Sequence, residues 1–321
     1  MNKRIIAKTA KIKNSKIKAS YIKIDHGATL EGVEIQAKKI IIKKNANLTK
    51  CKIFSEGSLE IGENATIKEN SIINSFLGVK IGDRTLIDRN VTIGGMQSEQ
   101  SEFVIGDDSV ILYSSYLNNT RKITIGNRVG IGGYCLIFTH SSWPNVLDGN
   151  PYKFAPVIIE DDVWLPWNVT VFPDITIGKN VTIGGCSLVN KNIPGNTFAA
   201  GIPIRVISKK KKISSSKKND IVLEILKDFN NYLSNYLEYK TSIKIQKNSC
   251  SIVADNLRLI YTNDFSELKP NDTIVAFKIP VKLKNEHEWI EFDSLSAHTS
   301  SEISKKLLFF LKRYGIKIPI D

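Results

Sequence analysis

Aliphatic residues return at every sixth position through much of the first 200 residues, with polar or small residues between them. An uninterrupted series is formed by Ile159, Leu165, Val171, Ile177, Ile183 and Val189. A helix repeats at 3.6 residues and an ordinary strand at two, so a period of six fits neither alone. It fits a triangular coil whose sides are short strands, each pointing one aliphatic side chain inward. Glycine and asparagine would supply the left-handed backbone that the corners need.

The same spacing recurs upstream, less regularly toward the start of the chain. Further sets are Ile81, Ile87 and Ile93; Ile105, Ile111, Leu117 and Ile123; and Ile125, Ile131 and Ile137. Near the start, Ile12, Ile24, Leu30, Ile42 and Leu48 share one phase, which Lys18 and Gln36 interrupt. A β-sandwich is the alternative, but chance would rarely give it six consecutive in-phase positions. The pattern predicts a mainly β fold, a parallel β-helix over residues 1–207, whose stacked coils bury one aliphatic column.

The period is lost after Ile207, where the composition changes. Residues 208–219, SKKKKISSSKKN, predict a basic linker. Residues 220–239 place apolar side chains on one helical face, at Val222, Ile225, Leu226, Phe229, Leu233 and Leu237. Strands are predicted within 242–246, 251–261, 273–283 and 288–294, and a last helix from the capping box Thr299-x-x-Glu302 to just before Gly315. Residues 220–321 therefore predict a small α+β domain, with no recognisable chemistry.

The net charge of +13 is concentrated in two segments. Residues 1–53 contain 14 Lys/Arg and 3 Asp/Glu, and residues 208–219 contain six lysines, so the remainder of the chain is slightly acidic. Nucleic-acid binding would need a basic cleft with interleaved aromatics, which this distribution lacks. A solvated strand face and a basic linker explain the charge, while an acidic glycan or a membrane surface stays open as partner.

No run of the chain approaches the ~18 apolar residues of a membrane span, and the N-terminus lacks a signal-peptide core. The four cysteines, Cys51, Cys135, Cys186 and Cys250, form no CxxC pair. We therefore expect a cytoplasmic protein whose cysteines are small buried hydrophobes rather than metal or redox ligands.

One long interruption of the repeat, at residues 138–158, contains a histidine. A β-helix has smooth faces, so a concave site needs a projecting segment, and function commonly lies on such loops. His140, Trp143, Asp148 and Tyr152 lie within it. Acyl transfer to a hydroxyl requires a base to accept the hydroxyl proton, and histidine suits this because it titrates near neutrality. Asp148 could orient that histidine, or it could form the turn of Asp148-Gly149-Asn150.

The closing coils resemble a known family. The stretch APVIIEDDVWLPWNVTVFPDITIGKNVTIGGCSLVNKNIPGNTFAAGIPIRVI is similar to the last coils and cap of the hexapeptide-repeat acyltransferases, which are left-handed parallel β-helices assembled as trimers. The resemblance is densest over residues 125–207, extends loosely to residue 1 and does not include 220–321. It implies a sugar O-acetyltransferase that takes acetyl-CoA as donor, needs no metal and acts on a sugar or glycan hydroxyl. His140 matches the family's catalytic histidine, and Asn118 or Asn119 is a candidate for the asparagine that assists it in some members.

The resemblance also implies where acetyl-CoA binds. Gly185 and Lys191 match positions along the pantetheine groove between subunits, and Arg205 matches a cation near the CoA phosphates, a role that suits guanidinium geometry. The family often has Trp-Ile-Gly where this chain has Trp164-Leu165-Pro166. Proline lacks an amide hydrogen, so we expect a changed ligand contact there, with Trp167 as an apolar wall, a sugar-stacking ring or a packing residue.

Three other functions are possible for a β-helix with such a loop. A β-helix carbonic anhydrase needs three zinc-binding histidines, and residues 1–207 contain His26 and His140 alone. A non-catalytic scaffold would use the loop for docking, which the intact histidine and the cap argue against. An N-acetyltransferase acting on an amino sugar or a nucleotide-linked amino sugar stays open, although no G-x-G-x-x-G segment follows a strand.

Overall fold

A computed structural model describes residues 3–266, 268–316 and 318. Residues 1, 2, 267, 317 and 319–321, which include the outer ends of both predicted domains, lie outside the described residues. The chain divides into two compact units, residues 1–210 and residues 211–321. In the described part of the chain, no helix is long and apolar enough to cross a membrane.

The first unit consists of short strands separated by tight corners. Its first five coils contain β1 Lys3–Ile6, β2 Lys11–Lys13, β3 Lys16–Lys18, β4 Tyr21–Ile24, β5 Thr29–Glu31, β6 Glu34–Gln36, β7 Lys39–Ile42, β8 Asn47–Thr49, β9 Lys52–Phe54, β10 Ser58–Ile61, β11 Thr66–Ile67, β12 Ile72–Asn74, β13 Gly78–Ile81, β14 Leu86–Ile87 and β15 Thr92–Gly94. The later coils contain β16 Glu102–Ile105, β17 Val110–Ile111, β18 Tyr116–Asn118, β19 Ile123–Ile125, β20 Gly130–Ile131, β21 Leu136–Phe138, β22 His140–Ser141, β23 Lys153–Phe154, β24 Val157–Ile159, β25 Trp164–Leu165, β26 Thr170–Val171, β27 Ile175–Ile177, β28 Thr182–Ile183, β29 Leu188–Val189, β30 Thr197–Ala200 and β31 Arg205–Lys209.

These strands stack into three parallel sheets, one for each side of a triangular coil. The first face runs from β1 to β27, the second from β2 to β28 with β30 and β31 added, and the third from β3 to β29. Strand pairing is parallel from coil to coil, as in Ile61 beside Ile81 and Ile67 beside Ile87. The predicted left-handed β-helix is confirmed, and within residues 3–209 it has nine complete coils.

The core is the aliphatic column that the spacing predicts, with one correction in the first coils. All six residues of the series from Ile159 to Val189 are buried. Lys18 and Gln36 face solvent, whereas the preceding residues Ile17 and Ile35 face the column, and Ile35 is 1% exposed. The third face therefore begins one residue earlier than the six-residue phase assumes, so the polar residues Lys18 and Gln36 do not interrupt the core.

The corners use residue types differently from the prediction. At the corner between the first and second faces, positive φ belongs to Gly27 in the second coil and, from the third coil on, to residues other than glycine: Asn45, Asn64, Arg84, Asp108, Arg128, Asp162 and Asn180. Gly82, two residues before Arg84, has no positive φ. A Cβ at Gly82 would lie 2.4 Å from the carbonyl carbon of Gly106 in the next coil. From the third coil on, asparagine and other non-glycine residues therefore supply the left-handed backbone of this corner, while Gly82 permits the close approach of stacked coils.

Three of the four cysteines are buried, as expected, and one is not. Cys51, Cys135 and Cys250 are at most 1% exposed, while Cys186 is exposed at a corner with φ +56°. Cys186 occupies the outward corner position, which the sequence pattern of one inward residue per strand does not distinguish from a core position. The expectation that all four cysteines are buried is wrong for Cys186.

The cap of the β-helix extends past the predicted boundary. Strand β31 runs antiparallel to β30 and ends at Lys209, and the first helix of the second unit begins at Ser215. The residues between them without regular structure are thus 210–214, fewer than the predicted linker of 208–219.

The second unit contains one mixed sheet and three α-helices in its described residues. Its elements are α1 Ser215–Tyr236, β32 Thr241–Gln246, β33 Ser249–Ala254, β34 Leu257–Tyr261, β35 Thr273–Ala276, α2 Val281–Glu286, β36 Glu288–Glu291, β37 Ser296–His298 and α3 Glu302–Leu311. The sheet order follows the chain from β32 to β37, with parallel pairing only at β34–β35 and β35–β36. Five of the six predicted apolar positions of the first helix are buried, the exception being Leu237, which follows α1 and is partly buried.

Two details of this unit differ from the sequence-based expectation. The cap of α3 is Ser301, whose side chain accepts from the Ser304 N–H, rather than Thr299. The segment predicted as one strand over 273–283 is β35 followed by α2. Pro280 precedes this helix as its cap residue, and because proline cannot donate to a strand ladder, it separates the two elements.

Candidate active site

The polypeptide leaves the coil at the corner that follows the third face of the seventh coil. Strand β22, which begins with His140, pairs antiparallel with β23, so that His140 lies opposite Phe154. The Ala155 N–H then donates to the Thr139 carbonyl at 3.0 Å, which closes the projection. This loop accounts for the interruption of the six-residue repeat, which stops at residues 140–155 and resumes at β24 with Val157.

His140 contacts Asn118, which lies on the third face one coil earlier. The His140 Nδ1 and Asn118 Oδ1 atoms are 3.3 Å apart. The Asn118 amide is oriented by its other neighbours, because Oδ1 accepts from Thr120 Oγ1 at 2.9 Å while Nδ2 donates to the Tyr116 hydroxyl at 3.2 Å. An oxygen facing His140 requires a proton on Nδ1, so this arrangement leaves Nε2 with the free lone pair that a base needs.

Two residues that the sequence did not indicate also surround the histidine. The Phe154 ring stacks on His140 with centroids 5.5 Å apart. The Arg121 guanidinium also lies over the Phe154 ring, 5.1 Å from its centroid, and Arg121 Nη1 donates to Ser98 Oγ at 3.1 Å. Ser98 belongs to a second projection, residues 95–101. Arg121 therefore links the two projecting loops and holds the ring that packs on the imidazole.

Asp148 and Asn119 do not reach the histidine. Asp148 ends the 3-10 turn Val146–Asp148, it is exposed, and its backbone N–H donates to Asn145. Within the described residues its carboxylate has no recorded partner, which fits the turn role and not the orienting role. Asn119 is fully buried, and both polar atoms of its side chain lack a partner among the described residues. Of the two candidate asparagines, the structure thus brings Asn118 to His140.

Trp167 lies at a different corner, between the second and third faces of the eighth coil. Its ring centroid is 5.1 Å from that of Tyr113 and 6.4 Å from that of Tyr134. It also covers Gly133, where an added Cβ would lie 2.0 Å from the ring. Trp167 thus packs on the preceding coil, and with 38% of its surface exposed it still presents part of the ring to solvent.

Pro166 has a consequence other than the one expected from the sequence. In the coils before and after it, the matching N–H groups bond to the next coil, from Gly132 to the Leu165 carbonyl at 2.6 Å and from Gly184 to the Ala199 carbonyl at 2.8 Å. A proline at this register position removes a hydrogen bond between coils. Pro166 therefore costs the β-helix one ladder bond, and the changed ligand contact expected at this position stays a prediction.

Comparison with known proteins identifies the family. WbbJ of Escherichia coli K12, a protein assigned as a lipopolysaccharide biosynthesis O-acetyl transferase, is 31% identical over 165 residues, which are 50% of this chain and 76% of WbbJ. The galactoside O-acetyltransferase of the same organism is 47% identical over 155 residues, 48% of this chain and 66% of that enzyme. This chain belongs to the hexapeptide-repeat acetyltransferases. It spans less than two thirds of that galactoside O-acetyltransferase, and no family model matches it.

Solved structures with similarity to this chain include a hexapeptide-repeat acetyltransferase and a sugar O-acetyltransferase. The maltose O-acetyltransferase from Clostridium difficile 630 is 30% identical with a TM-score of 0.31, covering 41% of this chain and 70% of that one. The hexapeptide-repeat acetyltransferase VCA0836 from Vibrio cholerae, complexed with acetyl coenzyme A, is 24% identical with a TM-score of 0.37, covering 41% and 72%.

The remaining predicted site residues of this acetyltransferase lie on different parts of the last coils. Gly185 shares the corner of Trp167, because the N–H of the next residue, Cys186, donates to the Trp167 carbonyl at 3.0 Å. Lys191 is exposed after β29, at the corner where His140 projects two coils earlier. Arg205 is exposed at the start of β31, opposite Ala200. The structure therefore does not gather the four predicted donor-site residues into one cluster within a single chain.

Proposed function

We propose that this acetyltransferase transfers an acetyl group from acetyl-CoA to a sugar hydroxyl, with His140 as general base. The observation that supports the assignment most directly is the contact of His140 Nδ1 with an Asn118 amide oxygen whose orientation is fixed by Thr120. The relatives named as a galactoside O-acetyltransferase and assigned as a lipopolysaccharide biosynthesis O-acetyl transferase support the oxygen acceptor.

The chemistry follows from the free lone pair on His140 Nε2. This nitrogen accepts the proton of the acceptor hydroxyl while the oxygen attacks the thioester carbonyl. Collapse of the tetrahedral intermediate breaks the carbon–sulfur bond, and the protonated imidazole returns the proton to the departing thiolate. Asn118 stabilises the imidazolium through its oxygen, and Phe154 with Arg121 keeps the ring in position.

The donor would bind along the last coils of two neighbouring copies, in a homotrimer. Within one chain, Trp167 with Gly185 and Lys191 with Arg205 are spread over several surfaces, so a shared site between copies would bring such groups together. The loop that bears His140 supports assembly, because Trp143 is 98% exposed and thus has little cover within its own chain. The four cysteines are all free, which suits a reducing cytoplasm.

The test is the turnover of a His140→Ala variant, measured as CoA thiol release with a galactoside acceptor. We expect a loss of about 10²- to 10⁴-fold in kcat, the usual contribution of a general base, with folding and acetyl-CoA binding retained. The matched control is His26→Ala, since His26 is the other histidine of the first unit and hydrogen bonds to Thr9 on a distant coil. A His140→Ala variant that is as active as the wild type and the His26→Ala control would show that His140 is not the general base.

The product distinguishes the proposed reaction from its alternatives. An ester product that hydroxylamine cleaves indicates O-acetylation, whereas a resistant amide formed only from an amino sugar would indicate N-acetylation. Binding of acetyl-CoA without release of thiol for any acceptor would favour a non-catalytic role.

A further inference from the structure

A single row of outward side chains follows the third face of the β-helix toward the site. The strand register places Lys18 beside Gln36, Gln36 beside Phe54 and Phe54 beside Asn74. The row continues because a Cβ at Gly94 would lie 3.7 Å from that of Asn74, and Gly94 is in register with Asn118, the partner of His140. Its members are Lys18, Gln36, Phe54, Asn74, Gly94 and Asn118. Five coil steps of about 4.8 Å make the row roughly 24 Å long.

The end of the row far from His140 is basic and concave. A cavity of about 390 Å³ there is lined in part by Lys18, Gln36, Lys38, Ser55 and Glu56. Both lysines are exposed, and within the described residues neither has a recorded ion pair. Glu56 is the one carboxylate that lines the cavity, so two ammonium groups face a single acid. The same coils hold most of the positive charge of the first unit, since residues 1–53 contain 14 Lys/Arg and 3 Asp/Glu.

The middle of the row has side chains of the types that can bind sugar rings. Phe54 and Asn74 are half-buried, so an aromatic surface and an amide group, with two donors and two lone pairs, follow one another along the face. Gly94 has no side chain, which leaves the row flat just before Asn118. The projection 95–101 borders this part, because Gln97 Nε2 donates to the Asn74 carbonyl at 3.3 Å.

We propose that this row binds an elongated, carboxylated glycan as the acceptor, with the acidic groups at Lys18 and Lys38 and the reacting hydroxyl at His140. The proposal rests on the acetyltransferase function proposed above and adds the substrate class. A neutral monosaccharide would occupy only the His140 end, so the lysines would have nothing to bind. A carboxylate-bearing chain extends over several coils and forms charge-assisted hydrogen bonds at the far end.

The proposal is tested with the full-length chain and two ligands that differ only at their carboxyl positions. The probes are hyaluronan oligosaccharides and the same oligosaccharides with their carboxylates reduced to alcohols. Calorimetric titration measures binding whether or not acetyl transfer occurs. We expect Lys18→Glu/Lys38→Glu to weaken binding of the carboxylated oligosaccharide by about 10-fold or more at low salt, and the reduced oligosaccharide much less. The Phe54→Ala variant should weaken both ligands alike.

The matched control is Lys11→Glu/Lys13→Glu, which makes the same charge change on exposed residues of the second face. Equal losses in the two double variants would show that the net charge, and not the row, governs binding and would overturn the proposal. Unchanged binding in the Lys18/Lys38 variant would do the same. A change of mass by light scattering in that variant would instead make the row an interface between copies, also against the proposal. If the row binds the carboxylated chain but no acceptor is acetylated, the proposed function fails and the binding site stands.

Discussion

The two units of this protein build their interiors in different ways. In the β-helix, each core residue is covered by the equivalent residue of the coils before and after it, as Leu48 is by Leu30 and Ile67. In the C-terminal unit, the core combines α1, the sheet and α3, which are tens of residues apart. The β-helix core is thus specified by short sequence intervals that repeat in every coil. The C-terminal core is specified by one set of contacts between residues far apart in the sequence.

The polar groups of the two units follow the same division. Along one β-helix corner, each backbone N–H donates to a side-chain oxygen of the next coil: Asp83 to Asp107, Asp107 to Asn127 and Asn127 to Asp161, each at 2.8 Å. In the C-terminal unit one carboxylate, Glu288, accepts from several groups at the start of α3. The ladder spreads its hydrogen bonds over many coils, whereas the C-terminal network depends on a single residue.

The largest stability effects should come from matched cavities in the two cores. Leu48 and Leu307 are both fully buried, and each is changed to alanine in the full-length chain. Such substitutions cost about 2–5 kcal/mol, depending on how far the surroundings collapse. Coils fixed on both sides cannot close around a cavity, whereas helix α3 can shift, so Leu48→Ala should lie at the upper end. Calorimetry of the full-length variants measures both.

The control for each cavity is a substitution that conserves volume, Leu48→Met or Leu307→Met, which should cost less than about 1.5 kcal/mol. We expect each alanine variant to shift one thermal transition and leave the other in place. A single transition that moves equally for both variants would contradict the description of two independent cores.

Glu288 gives a smaller effect that is confined to the C-terminal unit and depends on pH. Burial opposes its ionisation, but hydrogen bonds from Ser300 and Ser301 outweigh burial and lower the pKa of Glu288 to about 2. A carboxyl group whose pKa is lower in the folded state stabilises the fold. This contribution is complete when the pH is above the pKa of the unfolded state, about 4.3, and it is lost as the pH falls toward 2. Glu288→Gln should cost about 1–3 kcal/mol at neutral pH and less in acid.

The control for this change is Glu286→Gln, two residues away at the exposed end of α2. Urea unfolding of both variants between pH 7 and pH 2.5 gives the comparison. The wild type and the Glu288 variant should converge in stability as the pH falls, and the Glu286 variant should follow the wild type throughout. A constant difference between Glu288→Gln and wild type over that range would assign the loss to packing.

The same contrast explains how much the sequence could predict. A period of six residues can be recognised in the sequence alone, so the sequence predicts the β-helix and its core. The main error of that prediction lies on the third face, which starts one residue early, at Ile17 and Ile35. In the C-terminal unit the apolar face of α1 was readable, since it too is periodic. The cap of α3 was misplaced at Thr299 because Ser301 is selected by Glu288, a partner that no local spacing reveals.

The residues of the candidate site also fall into those that the sequence indicates and those that only long-range contacts reveal. His140 is a candidate because it interrupts the repeat and matches the family's catalytic histidine, and Asn118 and Asn119 are candidates because the resemblance implies an assisting asparagine. Both side chains are buried, and the structure separates them by their partners: Asn118 contacts His140, whereas the Asn119 side chain has no hydrogen-bond partner among the described residues. Phe154 and Arg121 could not be predicted, because their contact with the histidine depends on the antiparallel return of a loop.

The smallest effect, and the finest comparison of the two units, comes from the cysteines. Burial raises the pKa of the Cys51 thiol to about 12 and the pKa values of Cys135 and Cys250 to about 11, while Cys186 is exposed. Thiolates are the reactive form, so DTNB should modify one thiol quickly, with almost no change in stability, and Cys186→Ser should abolish that fast phase.

The buried thiols react only when the unit that contains them opens. On the Cys186→Ser background, Glu288→Gln should accelerate labelling of Cys250, which lies in the C-terminal core, and leave Cys51 and Cys135 at their former rates. Mass spectrometry of labelled peptides resolves the three positions. Acceleration of all three together would mean that the units open as one.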